Sequence, residues 1–302
     1  MTNQKNILIK IKNVSKTYSH SNKPALVDVN LNIGEGEKVG LIGSNGSGKT
    51  TLLRLLMNFI KPDEGMILIK DQSDLEDARR FMGYVGESQS GLENFTPREL
   101  FESAAKMCGM NSQQAGNRAR QLLEFSGLEE VANELIEGFS KGMAQRAFVG
   151  LAIVHDPEIL LLDEPMSGLD QQAQDDVRSL LKKLANKTLV YASHNLDEIE
   201  EFTSSVIVMH EGKIVIQLNL KELDQEIFLL EIDPGIKSFL SRFEHLNPRI
   251  SSESSPQIEL LLTTDSSNFQ DFIDFCKNNN VHIHRIRSRS LLEHIYHEYI
   301  ST

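Results

Sequence analysis

The sequence of 302 residues predicts an α/β fold, with a mostly parallel, helix-covered sheet followed by a small α+β appendage. A strand, a glycine loop and a helix stand in that order between residues 38 and 59, and strands alternate with helices again between 141 and 192. After Leu223 the composition shifts. Because single cores stop growing near ~250 to 300 residues, we expect two domains, residues 1–222 and residues 223–302.

The first predicted strands precede the glycine loop. Apolar and polar residues alternate over residues 7–14 and 25–33, which is the period of half-buried strands. Residues 38–42 form a short, mostly apolar strand that runs into the loop, and apolar residues recur on one helical face over 52–59. These patterns predict a loop held between a buried strand and the start of a helix.

Helices dominate the next segment. No strand pattern occurs between about residues 92 and 135, so we expect a helical subdomain there. The predicted elements, in order, are helices at 97–110, 115–125 and 141–155, a strand at 159–163, a helix at 173–185 and a strand at 188–192.

The C-terminal segment predicts a small α+β unit with a ferredoxin-like arrangement. The serine-rich segment 251–256 is predicted to be a loop. Strands are expected at 227–232, 257–263 and 281–286, and helices near 235–243, 269–277 and 291–299. Four histidines, His282, His284, His294 and His297, lie on different elements without a carboxylate or cysteine cluster, so we expect solvated side chains rather than a metal site.

Composition and charge argue against several classes of function. The formal net charge of −12 opposes binding to polyanions, so we expect no nucleic-acid partner. No run approaches ~18 apolar residues and the N-terminus has no apolar signal segment, so we expect a protein that stays in the cytoplasm. Any membrane-spanning part is then expected to lie on another chain. Cys108 and Cys276 stand in no metal-ligand spacing, which is typical of reduced thiols.

Residues 43–50, Gly-Ser-Asn-Gly-Ser-Gly-Lys-Thr, match the phosphate-binding loop (P-loop) pattern G-x-x-x-x-G-K-[ST]. Glycines let backbone N–H groups converge on phosphate oxygens, and the following helix offers its positive end to the anion. Lys49 is expected to reach the β- and γ-phosphates of ATP, and the Thr50 hydroxyl to ligate Mg²⁺. The alternative is a plain glycine-rich turn, but the strand before the loop and the helix after it favour a nucleotide site. The candidate nucleotide-binding residues here are Gly43, Ser44, Asn45, Gly46, Ser47, Gly48, Lys49, Thr50 and Thr51.

A second candidate element is the apolar strand at 159–163, which ends in Asp163 and Glu164. Alone, an apolar strand followed by two acids is mostly structural, but the phosphate-binding loop upstream favours a catalytic role. Asp163 is then expected to hold Mg²⁺ through water, and Glu164 to polarise the attacking water as general base.

Residues 139–146, Phe-Ser-Lys-Gly-Met-Ala-Gln-Arg, resemble the signature motif of ABC transporter ATP-binding domains, usually Leu-Ser-Gly-Gly-Gln. The resemblance implies a P-loop NTPase cassette with a parallel core sheet, an antiparallel β subdomain and a helical subdomain. It also implies that Ser140 and Gly142 bind the γ-phosphate held by a partner's P-loop. Two cassettes, as a homodimer or a pair of paralogues, would then share their ATP sites head to tail.

Three further features match the family's order of motifs. Residues 167–170, Ser-Gly-Leu-Asp, resemble the D-loop and add Asp170 to the nucleotide-binding candidates. His194 resembles the switch histidine, which is implied to contact the γ-phosphate and hold Glu164, and Tyr18 resembles the aromatic residue that stacks on adenine. Alone, His194 could be a surface histidine and Tyr18 could cover the first strand, but their joint order favours the family's roles.

Two departures from the family pattern stand out. Glu87 occupies the position where the family usually has the Q-loop glutamine, with Gln89 as a rival two residues later, and Lys141 and Met143 replace the usual glycine and glutamine of the signature. A carboxylate at 87 could still ligate Mg²⁺ while adding negative charge near ATP. This variant is similar to the bacterial exporters of drug-resistance, sodium and lantibiotic-immunity type.

The resemblance implies an ATP-binding and ATP-hydrolysing subunit that powers a membrane exporter. Its transmembrane permease would be a separate chain, it would lie peripherally on the cytoplasmic face of the membrane, and its helical subdomain would receive a coupling helix. One alternative is a soluble ABC ATPase of non-transport function, which the single cassette and acidic charge disfavour. The other is a weakly active regulatory cassette, which intact Glu164 and His194 disfavour.

Overall fold

The computed structural model of the protein describes residues 6–87, 91–220, 226–254 and 257–300. The chain divides into two compact units, Met1–Leu218 and Asn219–Thr302. The junction expected from composition, between 222 and 223, lies outside the described residues. Within those residues, no helix combines the length and the apolar content that a membrane span needs.

The first unit alternates strands and helices over most of its length. Its strands are β1 (Ile7–Thr17), β2 (Pro24–Gly34), β3 (Lys38–Ile42), β4 (Glu64–Ile69), β5 (Met82–Val85), β6 (Ile159–Asp163), β7 (Thr188–Ala192), β8 (Ser205–His210) and β9 (Lys213–Asn219). Its helices are α1 (Lys49–Leu56), α2 (Leu75–Ala78), α3 (Pro97–Met107), α4 (Ser112–Ser126), α5 (Lys141–Ala152), α6 (Gln171–Lys182) and α7 (Leu196–Phe202).

A six-stranded sheet in the order β5-β6-β7-β3-β8-β9 forms the centre of this unit. The strands from β5 to β8 in that order pair in parallel. Every residue of β6 and β7 is buried, which is typical of a parallel sheet with both faces covered. The predicted α/β fold is confirmed. Because β6, β7 and β3 are neighbours, the segments that follow their carboxyl ends meet at one edge of the sheet.

A three-stranded antiparallel sheet, β2-β1-β4, supplies the predicted β subdomain. Ile9 of β1 and Leu52 of α1 are fully buried in the same apolar core as Ile207 of β8. This shared core fixes the start of α1, and with it the glycine loop, between the two sheets.

Helices α3 and α4 supply the predicted helical subdomain. Each begins with a capping box, in which Thr96 pairs with Glu99 and Asn111 pairs with Gln114. Helix α4 ends at Gly127, whose φ of 64° is the left-handed conformation that glycine tolerates best. The observed bounds of both helices lie within a few residues of the predicted bounds.

The second unit is an antiparallel sheet with helical segments between its strands. Its elements are β10 (Glu226–Ile232), a 3₁₀ segment at Pro234–Leu246, β11 (Arg249–Ser254), β12 (Gln257–Thr264), α8 (Ser266–Asn278), β13 (Ile283–Ser290) and α9 (Leu291–Ile300). The sheet order is β11-β12-β10-β13, with every pair antiparallel. This order, with one helical segment after β10 and another after β12, is the ferredoxin-like arrangement.

The predicted loop at 251–256 is wrong for its first four residues, which belong to β11. Among the described residues, this strand lies at the edge of the sheet and pairs with β12, where Ile250 faces Leu260. Backbone hydrogen bonds to the neighbouring strand hold an edge strand in the sheet. The serines of β11 give no alternating apolar pattern, so the sequence did not indicate a strand here. Residues 255 and 256 lie outside the described part.

Two of the C-terminal histidines meet one carboxylate. Asp233 Oδ2 accepts from the His282 backbone N–H at 3.2 Å, and the His284 ring Nε2 lies 2.9 Å from Asp233 Oδ1. These contacts lower the pKa of Asp233. The side chain of His297 lies outside the described part.

Candidate nucleotide site

Lys49 lies at the start of α1, and its side chain is buried under the glycine loop. Its Nζ donates to the backbone oxygen of Gly43 at 2.7 Å. Burial lowers the pKa of Lys49, and the charges of Glu164, Asp163 and Glu87 oppose that shift. These three carboxylates favour the charged ammonium form, which is the form that binds phosphate oxygens.

Close packing explains two glycines of the loop. Gly48 precedes α1 with a φ of 108°, and a Cβ there would lie 2.7 Å from the Ala25 carbonyl oxygen. A Cβ at Gly43 would collide with the Met209 carbonyl oxygen. Between them, Ser47 Oγ is buried and makes no hydrogen bond within the described part of the chain, so a polar ligand atom would satisfy it.

Asp163 is buried at the carboxyl end of β6, beside the first turn of α1. Thr50 Oγ1 donates to Asp163 Oδ1 at 3.1 Å, and the Tyr84 hydroxyl donates to Oδ2 at 3.4 Å. Burial raises the pKa of Asp163, because its charged form is poorly solvated there. Burial next to this carboxylate also raises the pKa of Tyr84 to about 12, so its hydroxyl remains a donor at neutral pH.

Glu164 follows Asp163 in a strained backbone conformation, with a φ of 50°. His194 Nδ1 lies 2.8 Å from Glu164 Oε2, and Ser193 Oγ lies 3.3 Å from the same oxygen. Both partners follow the end of β7, the neighbour of β6. The topology of the parallel sheet therefore brings the acid and the histidine together from positions thirty residues apart.

A cavity of about 460 Å³ joins most of these groups. Tyr18 lies on its wall, with its hydroxyl 3.3 Å from Thr51 Oγ1. Its full lining is Tyr18, Ala25, Asn45, Gly46, Ser47, Gly48, Lys49, Thr50, Thr51, Glu87, Glu164, Ser167 and His194. The predicted residues 45–51, the aromatic position, the Q-loop position, Glu164 and the switch histidine thus share one cavity. The other predicted site residues do not line it: Gly43, Ser44, Ser140, Gly142, Asp163 and Asp170. Gln89, the rival of Glu87, lies outside the described residues.

Comparison with known proteins decides the family. A family model described as ABC transporter matches residues 26–167. The ABC transporter ATP-binding protein NatA of Bacillus subtilis is 32% identical over 205 residues, which cover 66% of this chain and 83% of NatA. The chain belongs to the ABC transporter ATP-binding family. It is an ATPase subunit that powers a membrane transporter.

Two further relatives support the ABC assignment. The bacitracin transport ATP-binding protein BcrA of Bacillus licheniformis is 31% identical over 246 residues, covering 78% of this chain and 79% of BcrA. The dimeric post-hydrolysis structure of the ATP-binding cassette MJ0796, bound to ADP and Pi, has a TM-score of 0.65 and 31% identity, covering 70% of this chain and 99% of that one. ABC ATP-binding subunits pair with transmembrane subunits and form dimeric cassettes.

Ser140 of the ABC signature and Asp170 of the D-loop each lie at the start of a helix. Ser140 is the N-cap of α5 and its Oγ accepts the Met143 backbone N–H at 3.2 Å, while Asp170 caps α6 by accepting the Ala173 N–H at 2.9 Å. A Cβ at Gly142 would lie 2.5 Å from Ala173 Cβ, so this glycine also lets α5 approach α6. The positive N-terminal end of α5 is thus fixed by packing against α6.

Replacing Gly142 with alanine is expected to destabilise the cassette by about 1–3 kcal/mol, because the new methyl group has no room beside Ala173. The change is measurable as a lower midpoint of urea unfolding. Gly116→Ala in α4 is the matched control, because a Cβ there meets nothing within 4 Å, and a helical alanine is expected to be neutral or stabilising by up to about 1 kcal/mol. Equal midpoints for the two variants would contradict the packing role of Gly142.

Sequence reasoning missed several residues of the ABC site. Ala25 and Ser167 line the cavity beside the P-loop, and a buried pair, Tyr191 and Glu198, lies behind Ser193. Ser167 lay within the predicted D-loop, so the motif contained a signal for it. Glu198 gave none, because an acid in the first turn of a helix is ordinarily a solvated, dipole-matching residue.

Proposed function

We propose that this subunit hydrolyses MgATP in the cavity described above, with Glu164 as general base. The observation that carries the proposal is the contact between Glu164 Oε2 and His194 Nδ1, at 2.8 Å, on the wall of a cavity that the P-loop also lines. Lys49 and the backbone N–H groups of the loop bind the β- and γ-phosphates, and the Tyr18 ring stacks on adenine.

A magnesium ion fits the oxygen donors at the start of α1. The Thr50 hydroxyl and the Asp163 carboxylate lie 3.1 Å apart, and Glu87 lines the same cavity. Hydroxyl and carboxylate oxygens are ligands that Mg²⁺ prefers, and a cation here would favour the ionised form of Asp163. Thr50, Glu87 and, through water, Asp163 would hold the ion, which neutralises charge on the β- and γ-phosphate oxygens when bound.

In the proposed step, a water oxygen bonds to the γ-phosphorus while the bond from that phosphorus to the bridging oxygen of ADP breaks. Glu164 accepts the proton of the water, and the products are ADP and inorganic phosphate. His194 holds the Glu164 carboxylate through Oε2 and would contact the γ-phosphate with its other ring nitrogen. Lys49 stabilises the negative charge of the transferred group.

We also propose that each ATP lies between two cassettes arranged head to tail. Ser140 and Gly142 do not line the cavity of their own chain, yet they stand at the positive start of α5, a position suited to a γ-phosphate held elsewhere. A second copy or a paralogue would supply the P-loop for them, and Asp170 would lie near the dimer interface. Closure of the two cassettes on ATP and their reopening after hydrolysis would move the permease.

The proposed physiological role is export. The signature variant and Glu87 resemble exporters of drug-resistance type, and the relative BcrA is named for bacitracin transport. We propose that the subunit binds peripherally to a permease on the cytoplasmic face of the membrane, with the cassette formed by residues 1–222 and an accessory, dimerisation or regulatory unit by residues 223–302. The helical subdomain would receive the permease's coupling helix.

Affinity purification of the tagged chain from detergent-solubilised membranes tests this role. We expect a polytopic membrane protein in the complex at near-stoichiometric amount, and ATP turnover by the complex. A soluble ABC ATPase of non-transport function would leave the chain in the soluble fraction without such a partner. A regulatory cassette would co-purify with the permease. Replacing its Glu164 would then leave the ATP turnover of the complex unchanged.

A further inference from the structure

Behind the catalytic edge of the sheet lies a buried acid, Glu198, on α7. Glu198 is only 6% exposed. Its Oε2 lies 2.9 Å from the Tyr191 hydroxyl and 2.9 Å from Ser193 Oγ. Ser193 Oγ in turn lies 3.3 Å from Glu164 Oε2. A continuous line of polar contacts therefore runs from Tyr191 through Glu198 and Ser193 to Glu164.

The hydrogen atoms of this line can be assigned. The Ser193 hydroxyl has one proton and faces an oxygen of both Glu198 and Glu164, while its oxygen accepts the Asn195 backbone N–H at 3.0 Å. If both acids were ionised, the proton would serve one of them and the serine oxygen would present a lone pair to the other. If Glu198 is neutral, it donates to Ser193 Oγ, and Ser193 donates to Glu164.

Burial favours the neutral form. It raises the pKa of Glu198, and the nearby charge of Glu164 raises it further, while Tyr191, Ser193 and His194 act in the opposite direction. The Tyr191 hydroxyl also remains protonated, because burial and the neighbouring acid raise its pKa. Tyr191 then donates to Glu198 Oε2, and every contact of the line has one donor and one acceptor.

We propose that Glu198 is a positioning residue for hydrolysis, which directs the Ser193 hydroxyl onto Glu164. The described side-chain contacts to Glu164, from Ser193 and from His194, both fall on Oε2. Together they hold this oxygen and leave Oε1 for the attacking water. The inference rests on the proposed role of Glu164 as general base.

The competing account is structural. Tyr191 also stacks on Phe202 with ring centroids 5.4 Å apart, so its contact with Glu198 could serve only to hold α7 against β7. That account predicts a loss of stability on replacing Glu198, with no change in kcat once the protein is folded. The two accounts therefore differ in their kinetic consequences.

The test is steady-state hydrolysis by the full chain with MgATP, for Ser193→Ala, Glu198→Leu, their double variant and Glu198→Gln. We expect Ser193→Ala and Glu198→Leu each to lower kcat about tenfold at unchanged KM for ATP. The double variant should be no slower than Ser193→Ala alone, since both act through one hydroxyl. Glu198→Gln should stay within about threefold of wild type, because its amide N–H can donate to Ser193 as the neutral acid does.

Three outcomes would overturn the proposal: wild-type kcat in Ser193→Ala, additive losses in the double variant, or a Glu198→Gln variant as slow as Glu198→Leu, which would mean that an ionised carboxylate is needed. If Glu198→Leu does not fold, as judged by circular dichroism, Ser193→Ala and Glu198→Gln still decide. The Glu164→Gln variant distinguishes failure of the proposed general base from failure of the role proposed for Glu198. If that variant keeps wild-type activity, the proposed general base fails; if it is inactive while Ser193→Ala is not slowed, only the role of Glu198 fails.

Discussion

Replacing Glu164 with glutamine is expected to lower kcat for ATP hydrolysis by about 10³-fold while leaving ATP affinity within a few-fold of wild type. The amide keeps the shape of the side chain and can still meet His194, but it cannot accept a proton from water. Because the phosphate-binding groups of the P-loop are untouched, MgATP should remain bound. Release of inorganic phosphate by the purified chain, measured over a range of ATP concentrations, gives kcat and KM separately.

The matched control is Glu200→Gln on α7, an exposed residue that does not line the cavity. It should keep wild-type kcat. In gel filtration with MgATP, Glu164→Gln should also elute as a dimer that reverts to monomer when ATP is removed, since the closed state cannot proceed to hydrolysis. A Glu164→Gln variant with unchanged turnover would show that another group activates the water.

Replacing Lys49 with alanine is expected to weaken ATP binding about 100-fold and to abolish measurable turnover. The ammonium group donates to the Gly43 backbone oxygen, and the charges of Glu164 and Asp163 favour the charged form that binds phosphate oxygens. Alanine supplies no positive charge at this position. Because burial disfavours the charged lysine, its removal should leave the melting temperature unchanged or higher. Titration with a fluorescent ATP analogue measures the affinity, and thermal unfolding measures the stability.

Lys12→Ala is the control for charge, because Lys12 is an exposed lysine on β1. Its affinity for the analogue should match that of wild type. If Lys49→Ala instead bound the analogue with wild-type affinity, the cavity would not be the triphosphate site. If it unfolded at a markedly lower temperature, the buried lysine would be mainly a structural residue of the loop.

The features predicted from sequence share one property: their information is local. The glycine loop, the apolar strand before Asp163 and the histidine after β7 are each readable within a short window. Parallel pairing of β6 with β7 and β7 with β3 then converts three local signals into one site, since the ends of neighbouring parallel strands share an edge. The alternation of strands and helices predicted the α/β class, local motifs predicted Lys49 and Glu164, and the family resemblance predicted His194. All three residues line one cavity.

The features that sequence alone concealed depend on distant packing. Strand β11 is held by pairing with β12 at a sheet edge, and its serines carry no period-two apolar signal. Glu198 looks like an ordinary acid in a helix, and only the fold places it under Ser193. Gly142 has a motif role in sequence, but its contact with Ala173 requires the relative placement of α5 and α6. Such contacts between elements are set by tertiary structure rather than by local pattern.

The central claim, that each ATP is hydrolysed between the P-loop of one cassette and the signature of another, is most directly tested by mixing two inactive variants. Lys49→Ala removes the phosphate ligand of one chain, and Ser140→Arg blocks the signature of the other. In a heterodimer of the two, one site combines an intact P-loop with an intact signature. Shared sites predict that each variant alone is inactive and that an equimolar mixture recovers a substantial fraction of wild-type turnover. A mixture that stays inactive, or a Ser140→Arg variant as active as wild type, would contradict the claim.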